Sequence, residues 1–214
     1  GSLPVDQIFD IIIKNINLKI NKNESIGIKG SSGVGKSTLL NIICYLLNPT
    51  KGRVLVDNRD ISTIYKNYQK KIGYVPQKIY LIDDSIINNI ILGINDREFD
   101  YNLFKDVIKK ANLEEFLDKL ELKENTFVGE KGGKLSGGQQ QRVGIARALY
   151  KKPEIIIFDE ATSALDHNTE NEILDTIKNL KGENTIIIVS HKDSVLVSCD
   201  RTFELKNNEI FQIK

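Results

Sequence analysis

The chain carries Gly30-Ser31-Ser32-Gly33-Val34-Gly35-Lys36-Ser37-Thr38, in which four residues separate Gly30 from Gly35 and lysine and serine follow at once. Those residue types at that spacing suit a phosphate. Glycines let the backbone curl until consecutive N–H groups point inward, and a helix starting beside the lysine adds the positive end of its dipole. Lys36 then neutralises β- and γ-phosphate oxygens, and Ser37 offers a hydroxyl to Mg²⁺. The plain alternative, a glycine-rich strand-to-helix turn, gives no reason for Lys36-Ser37-Thr38.

Other residues have chemistry that fits beside such a loop. Ile155-Ile156-Ile157-Phe158-Asp159-Glu160 puts two carboxylates at the C-terminal end of a buried strand, where parallel sheets gather their ligands. Asp159 suits the metal and Glu160 suits a water attacking the γ-phosphate, the alternative being a pair of acidic helix caps. His191 closes a second apolar strand and either donates to the γ-phosphate or is structural, while His167 stays unassigned. Gln77, at a strand exit, either reaches metal and water with its amide or is a solvated loop residue. Leu135-Ser136-Gly137-Gly138-Gln139 is surplus: its serine and glycine amides favour an anion in a chain whose own loop already wraps one. The surplus suggests that this motif serves a second copy's nucleotide and that the chain is half of an ATP-driven dimer.

The elements that must position these residues fit one domain. At 214 residues and 24.2 kDa the chain has room for one core and at most a subdomain. Thirty basic and twenty-nine acidic residues leave a net charge of +1, so no global field draws it to nucleic acid or an anionic membrane. Cys44 and Cys199 fit neither a metal spacing nor a disulfide framework, as in a reducing cytosolic compartment. No apolar run approaches the roughly 18 residues of a membrane span. There is no signal peptide, and Gly1-Ser2 reads as a cloning remnant on a fragment of a longer protein.

Periodicity predicts strands over residues 16–20, 25–29, 53–57, 72–75, 155–158 and 185–190. It predicts a helix after the glycine loop, with Leu39, Leu40, Ile42, Ile43, Leu46 and Leu47 as its stripe and Asn48-Pro49 as its stop. Residues 77–150 read as helical, with Leu103, Phe104, Val107, Ile108 and Ala111 on one face, and Val143, Ala146 and Leu149 on a later one. Another helix carries Ile173, Ile177 and Leu180, and residues 201–214 read as a hairpin that turns near Asn207-Asn208 and caps the fold. Strand and helix alternate as in a largely parallel α/β sheet.

Taken together, the glycine loop, Gln77, residues 135–139, Asp159-Glu160, Ser163-Ala164-Leu165-Asp166 and His191 resemble the nucleotide-binding domain of ABC transporters in order and spacing. The resemblance implies an α/β, P-loop NTPase (RecA-like) fold: a mainly parallel sheet, an N-terminal antiparallel β portion, and a helical subdomain inserted at residues 78–150. It implies ATP and Mg²⁺ as cofactors and a head-to-tail dimer that sandwiches ATP between the loop of one copy and Ser136, Gly137, Gly138 and Gln139 of the other. Within it Glu160 is the general base, His191 reads the γ-phosphate, Lys36 holds phosphate, Ser37, Gln77 and Asp159 hold the metal, and Asp166 communicates across the interface.

Thr126-Phe127-Val128-Gly129-Glu130 resembles the exporter-type segment that touches a transmembrane domain, with Glu130 as its coupling residue. Residues 73–81 and 85–90 resemble bacterial lipid-linked oligosaccharide flippases of the PglK type. That implies a transmembrane domain absent from this chain, a place on the cytoplasmic face of the bacterial inner membrane, a glycan met only through the transmembrane domain, and no nucleic acid. A rival reading is a soluble ABC-type switch or scaffold that transports nothing. A kinase-like P-loop enzyme leaves residues 135–139 unexplained. Such domains usually begin with a strand ending in an adenine-stacking aromatic; here Leu3-Pro4 takes that place and Phe9 is an imperfect substitute, so weakened adenine binding is expected. Lys192 stands where exporters often carry arginine.

Overall fold

The computed structural model describes residues 12–214. A six-stranded sheet runs in the order β4-β5-β6-β1-β7-β8, with β4 at Ile72–Val75, β5 at Ile155–Asp159, β6 at Thr185–Val189, β1 at Ser25–Lys29, β7 at Arg201–Lys206 and β8 at Glu209–Gln212. All neighbours are parallel except β7 and β8. The unbroken isoleucine runs of β5 and β6 need apolar cover on both faces, and they have it. On one face Ile157, Ile187, Ile26 and Ile28 pack with Leu39 and Leu40 of α1, Lys36–Ile43. On the other Ile156, Phe158, Ile186 and Ile188 pack against helical elements.

Those helical elements lie mainly between β4 and β5: α3 at Ile86–Ile90, α4 at Tyr101–Lys110, α5 at Glu114–Asp118 and α6 at Gly137–Tyr150. Phe104, Val107 and Ile108 form the buried stripe of α4, and Val143, Ala146 and Leu149 lie on the buried side of α6. A small antiparallel hairpin, β2 at Leu55–Val56 and β3 at Arg59–Asp60, precedes α2 at Ile61–Gln69. The remaining helices, α7 at His167–Asn179 and α8 at Asp193–Leu196, flank β6. No helix among the described residues is long and apolar enough to cross a membrane.

The structure corrects four sequence expectations. Residues 16–20 alternate in burial as expected, but no strand forms there among the described residues. The strand expected at 53–57 shrinks to Leu55–Val56. Helix α1 ends at Ile43, leaving Leu46 and Leu47 exposed, because Tyr68 Oη donates to Ile43 O and Gln69 Nε2 to the carbonyls of Cys44 and Tyr45. Those donors satisfy the orphan carbonyls that another turn would otherwise use. Finally, the terminal hairpin extends the sheet rather than capping it, since β7 pairs with the open edge of β1. Its turn falls as expected at Asn207 and Asn208, both at positive φ.

Candidate nucleotide-binding site

The parallel register brings the C-terminal ends of β1, β4, β5 and β6 to one side. The glycine loop follows β1 there and leads into α1. Gly35 adopts φ 105, and a Cβ would lie 2.7 Å from Ile13 Cγ2, so only glycine fits. Helix α1 has no side-chain cap, which leaves its first N–H groups for an anion. The buried Lys36 sends Nζ back to Gly30 O at 2.8 Å and Ser31 O at 2.9 Å. Ser31, Ser32 and Ser37 are exposed, while Gly33, Val34, Gly35 and Thr38 are half-buried or exposed around the curl.

Across the strand ends Glu160 Oε1 stands 3.6 Å from Lys36 Nζ. Glu160 has φ 50 while its N–H donates to Val189 O at 2.9 Å. A left-handed glutamate costs about 1–3 kcal/mol, and such strain collects at functional sites. Asp159, one residue earlier, accepts a 2.6 Å hydrogen bond from Tyr74 Oη. Gln77 is exposed at the exit of β4 and donates to Ser163 Oγ at 2.9 Å. His191 is exposed just past β6 and makes no hydrogen bond among the described residues. Beside it Lys192 Nζ donates to Thr162 O at 3.2 Å and pairs with the buried Glu170 of α7, which Ser194 also reaches.

Residues 135–139 are built differently. Ser136 caps α6: its Oγ accepts from Gln139 N, and Gln139 Oε1 accepts from Ser136 N at 2.8 Å. Ser136 and Gly137 are exposed, whereas Gly138 is buried against Thr169, whose Cγ2 would lie 2.2 Å from an added Cβ. Asp166 caps α7, and hydrogen bonds from the Thr169 side chain and backbone hold its carboxyl below the usual range. Among the described residues no hydrogen bond or ion pair joins residues 30–38 to 135–139. Glu130 lies exposed in a short turn after Phe127, which is also exposed, while Val128 is buried with its N–H on Asp84 O. Leu3-Pro4 and Phe9 lie outside the described residues.

Residues 13–163 match the model of the ABC transporter family. The chain belongs to that family. It is 45% identical over 190 residues to the "Putative export ATP-binding/permease protein" of Rickettsia typhi, covering 88% of this chain and 33% of that protein. It is 40% identical over 203 residues to the alpha-hemolysin translocation ATP-binding protein HlyB of Proteus vulgaris, covering 94% of this chain and 28% of that one. The structure of a bacterial Atm1-family ABC exporter with ATP bound matches at TM-score 0.84 and 34% identity, over 93% of this chain and 35% of that chain. The chain thus spans about a third of the length of these relatives. It is an exporter-type ABC nucleotide-binding domain, an ATPase that takes ATP with Mg²⁺.

The ABC domain's residues fit that cofactor. No group of three or more His, Cys, Asp or Glu side chains able to hold a metal occurs among the described residues. Ser37 is exposed next to Lys36 and Asp159 ends β5, a hydroxyl and a carboxylate of the oxygen-donor kind that binds Mg²⁺ together with substrate phosphates. The two cysteines are free and buried, and burial pushes both thiols up to about 11.

Two features escaped the motifs. The Lys192–Glu170 pair joins residues 22 apart, which no local pattern shows. The Ser136/Gln139 cap is the second, although serine three residues before glutamine is the capping-box signature that marks it.

Proposed function

We propose that this domain hydrolyses ATP as half of a head-to-tail dimer and drives a transmembrane portion that moves a polyprenyl-pyrophosphate-linked glycan, at the cytoplasmic face of a bacterial inner membrane. The 3.6 Å approach of Lys36 and Glu160 at the strand ends carries the catalytic part. The loop amides of Gly30 to Thr38 and the Lys36 amino group bind the phosphates, and Ser37, Gln77 and Asp159 hold the metal. Bound Mg²⁺ supplies charge that offsets the phosphate oxygens. Glu160 orients a water and takes its proton as the water oxygen bonds the γ-phosphorus and the bond to the β–γ bridging oxygen breaks. His191 donates to the γ-phosphate.

Ser136, Gly137, Gly138 and Gln139 face the other copy's phosphate, and Asp166 relays between the copies. The exposure of Ser136 and Gly137 at the start of α6 supports this. The helical segment 78–150 acts as the subdomain that carries them. Glu130, beside the exposed Phe127, contacts the transmembrane portion. The net charge of +1 supports a partner other than nucleic acid.

Glu160→Gln is the test. ATP binding persists, turnover falls by at least about 100-fold, and a nucleotide-bound dimer accumulates on size exclusion; undiminished turnover removes Glu160 from the role. The glycan reading rests on residues 73–81 and 85–90. If the intact protein in vesicles moves no labelled polyprenyl-pyrophosphate glycan with ATP, the cargo is wrong while the ATPase stands.

A further inference from the structure

Tyr74 belongs to none of the roles assigned above, yet its hydroxyl donates to Asp159 Oδ2 at 2.6 Å. Strand register produces the contact. Parallel β4 and β5 set Tyr74 opposite Ile157, so Tyr74 shares a sheet face with Ile157 and, two residues on, with Asp159. Among the described residues the phenol is the one hydrogen-bond donor to the Asp159 carboxylate. Tyr74 is 40% exposed, so the hydroxyl is not forced there by dense packing.

We propose that Tyr74 is a positioning residue for Mg²⁺: by engaging Oδ2 it fixes the rotation of the Asp159 carboxylate and leaves its other oxygen free for the metal. The proposal rests on Asp159 belonging to the metal site. A ligand carboxylate free to rotate must be ordered each time the metal binds, and a fixed hydrogen bond from the surrounding protein removes that cost. The hydroxyl, rather than the ring, does the positioning.

Tyr74→Phe keeps the ring and deletes the hydroxyl. Binding of a non-hydrolysable ATP analogue to this chain is titrated against free Mg²⁺ and measured again in EDTA, with Asp159→Asn in parallel. The half-saturating Mg²⁺ concentration rises about tenfold in Tyr74→Phe, the range of losses when a residue supporting a metal ligand is removed. Affinity in EDTA and the thermal unfolding midpoint stay at the values of the unsubstituted chain. If Asp159→Asn shifts the Mg²⁺ dependence and Tyr74→Phe does not, Tyr74 has no positioning role and the metal reading survives. If Asp159→Asn leaves it unshifted, Asp159 is not at the metal and both readings fall. Equal weakening of Tyr74→Phe with and without Mg²⁺ makes Tyr74 a packing residue and overturns the proposal.

Discussion

The strand-end site and the 135–139 segment both present helix starts, but one is left open and the other closes on itself. At the strand ends α1 has no side-chain cap, Glu160 sits in a strained left-handed conformation, and Lys36 makes its hydrogen bonds to main-chain oxygens of its own loop. At residues 135–139 Ser136 and Gln139 satisfy each other, and Gly138 is pressed against Thr169. An open helix start with stored strain can bind a ligand within one chain. At the self-capped start Ser136 and Gln139 already use part of each other's hydrogen-bonding capacity, so a ligand there competes with the cap.

Lys36→Ala and Ser136→Ala split the two regions most widely. Lys36→Ala lowers nucleotide affinity about 100-fold, the scale of losing charged hydrogen bonds to phosphate. Ser136→Ala costs stability about 1 kcal/mol through its lost cap, lowers turnover, and leaves nucleotide affinity unchanged in dilute protein. Titrations of both variants well below the dimerising concentration check this. Matching affinity losses would place residues 135–139 at the chain's own nucleotide and erase the distinction.

A smaller effect tests how rigid the closed region is. Gly138→Ala drives a methyl into Thr169 Cγ2, where 2.2 Å is far inside contact distance. Overpacking costs about 1–3 kcal/mol and alanine's helix preference returns up to about 1. A net loss of about 1–2 kcal/mol in urea unfolding follows. Thr169→Ser removes the opposing methyl but keeps the hydroxyl that Asp166 accepts, so the double variant regains most of the loss. If Gly138→Ala is neutral, α6 and α7 yield at this contact and the closed region is softer than its geometry implies.

The same contrast governs what was legible in the sequence. The strands at Ile155–Asp159 and Thr185–Val189 show as apolar runs because both sheet faces are covered there. Lys36, Asp159 and Glu160 show because each sits in a local pattern beside a strand. The end of α1 did not, because Tyr68 and Gln69 impose it from about 25 residues downstream. Nor did the place of β7, which depends on pairing with β1 from far along the chain. Tyr74 became visible only once the register of β4 and β5 put it on the face of Asp159.

The smallest expected effect lies at the other end of the strands. Asp200 accepts from Ser25 N at 2.8 Å, Ser25 Oγ at 2.7 Å and Lys181 Nζ at 2.8 Å, where β1 begins rather than where the glycine loop leaves it. Burial opposes the charge, but the hydrogen bonds from Lys181 and Ser25 outweigh it and hold the carboxyl at about 2. The folded value lies below the unfolded one near 3.9, so the stabilisation is complete above about pH 4 and fades as pH falls through about 2. Its side chain is 47% exposed, and solvent screening keeps the contribution under about 1 kcal/mol. Asp200→Asn therefore loses that small amount at pH 7, converges with the unsubstituted chain at pH 2, and keeps full ATP turnover. Urea unfolding at pH 7, 4 and 2 with a steady-state ATPase assay reads all three. A stability gap that does not change with pH would mean that the charge is irrelevant, and lost turnover would mean that the two ends of the sheet are coupled.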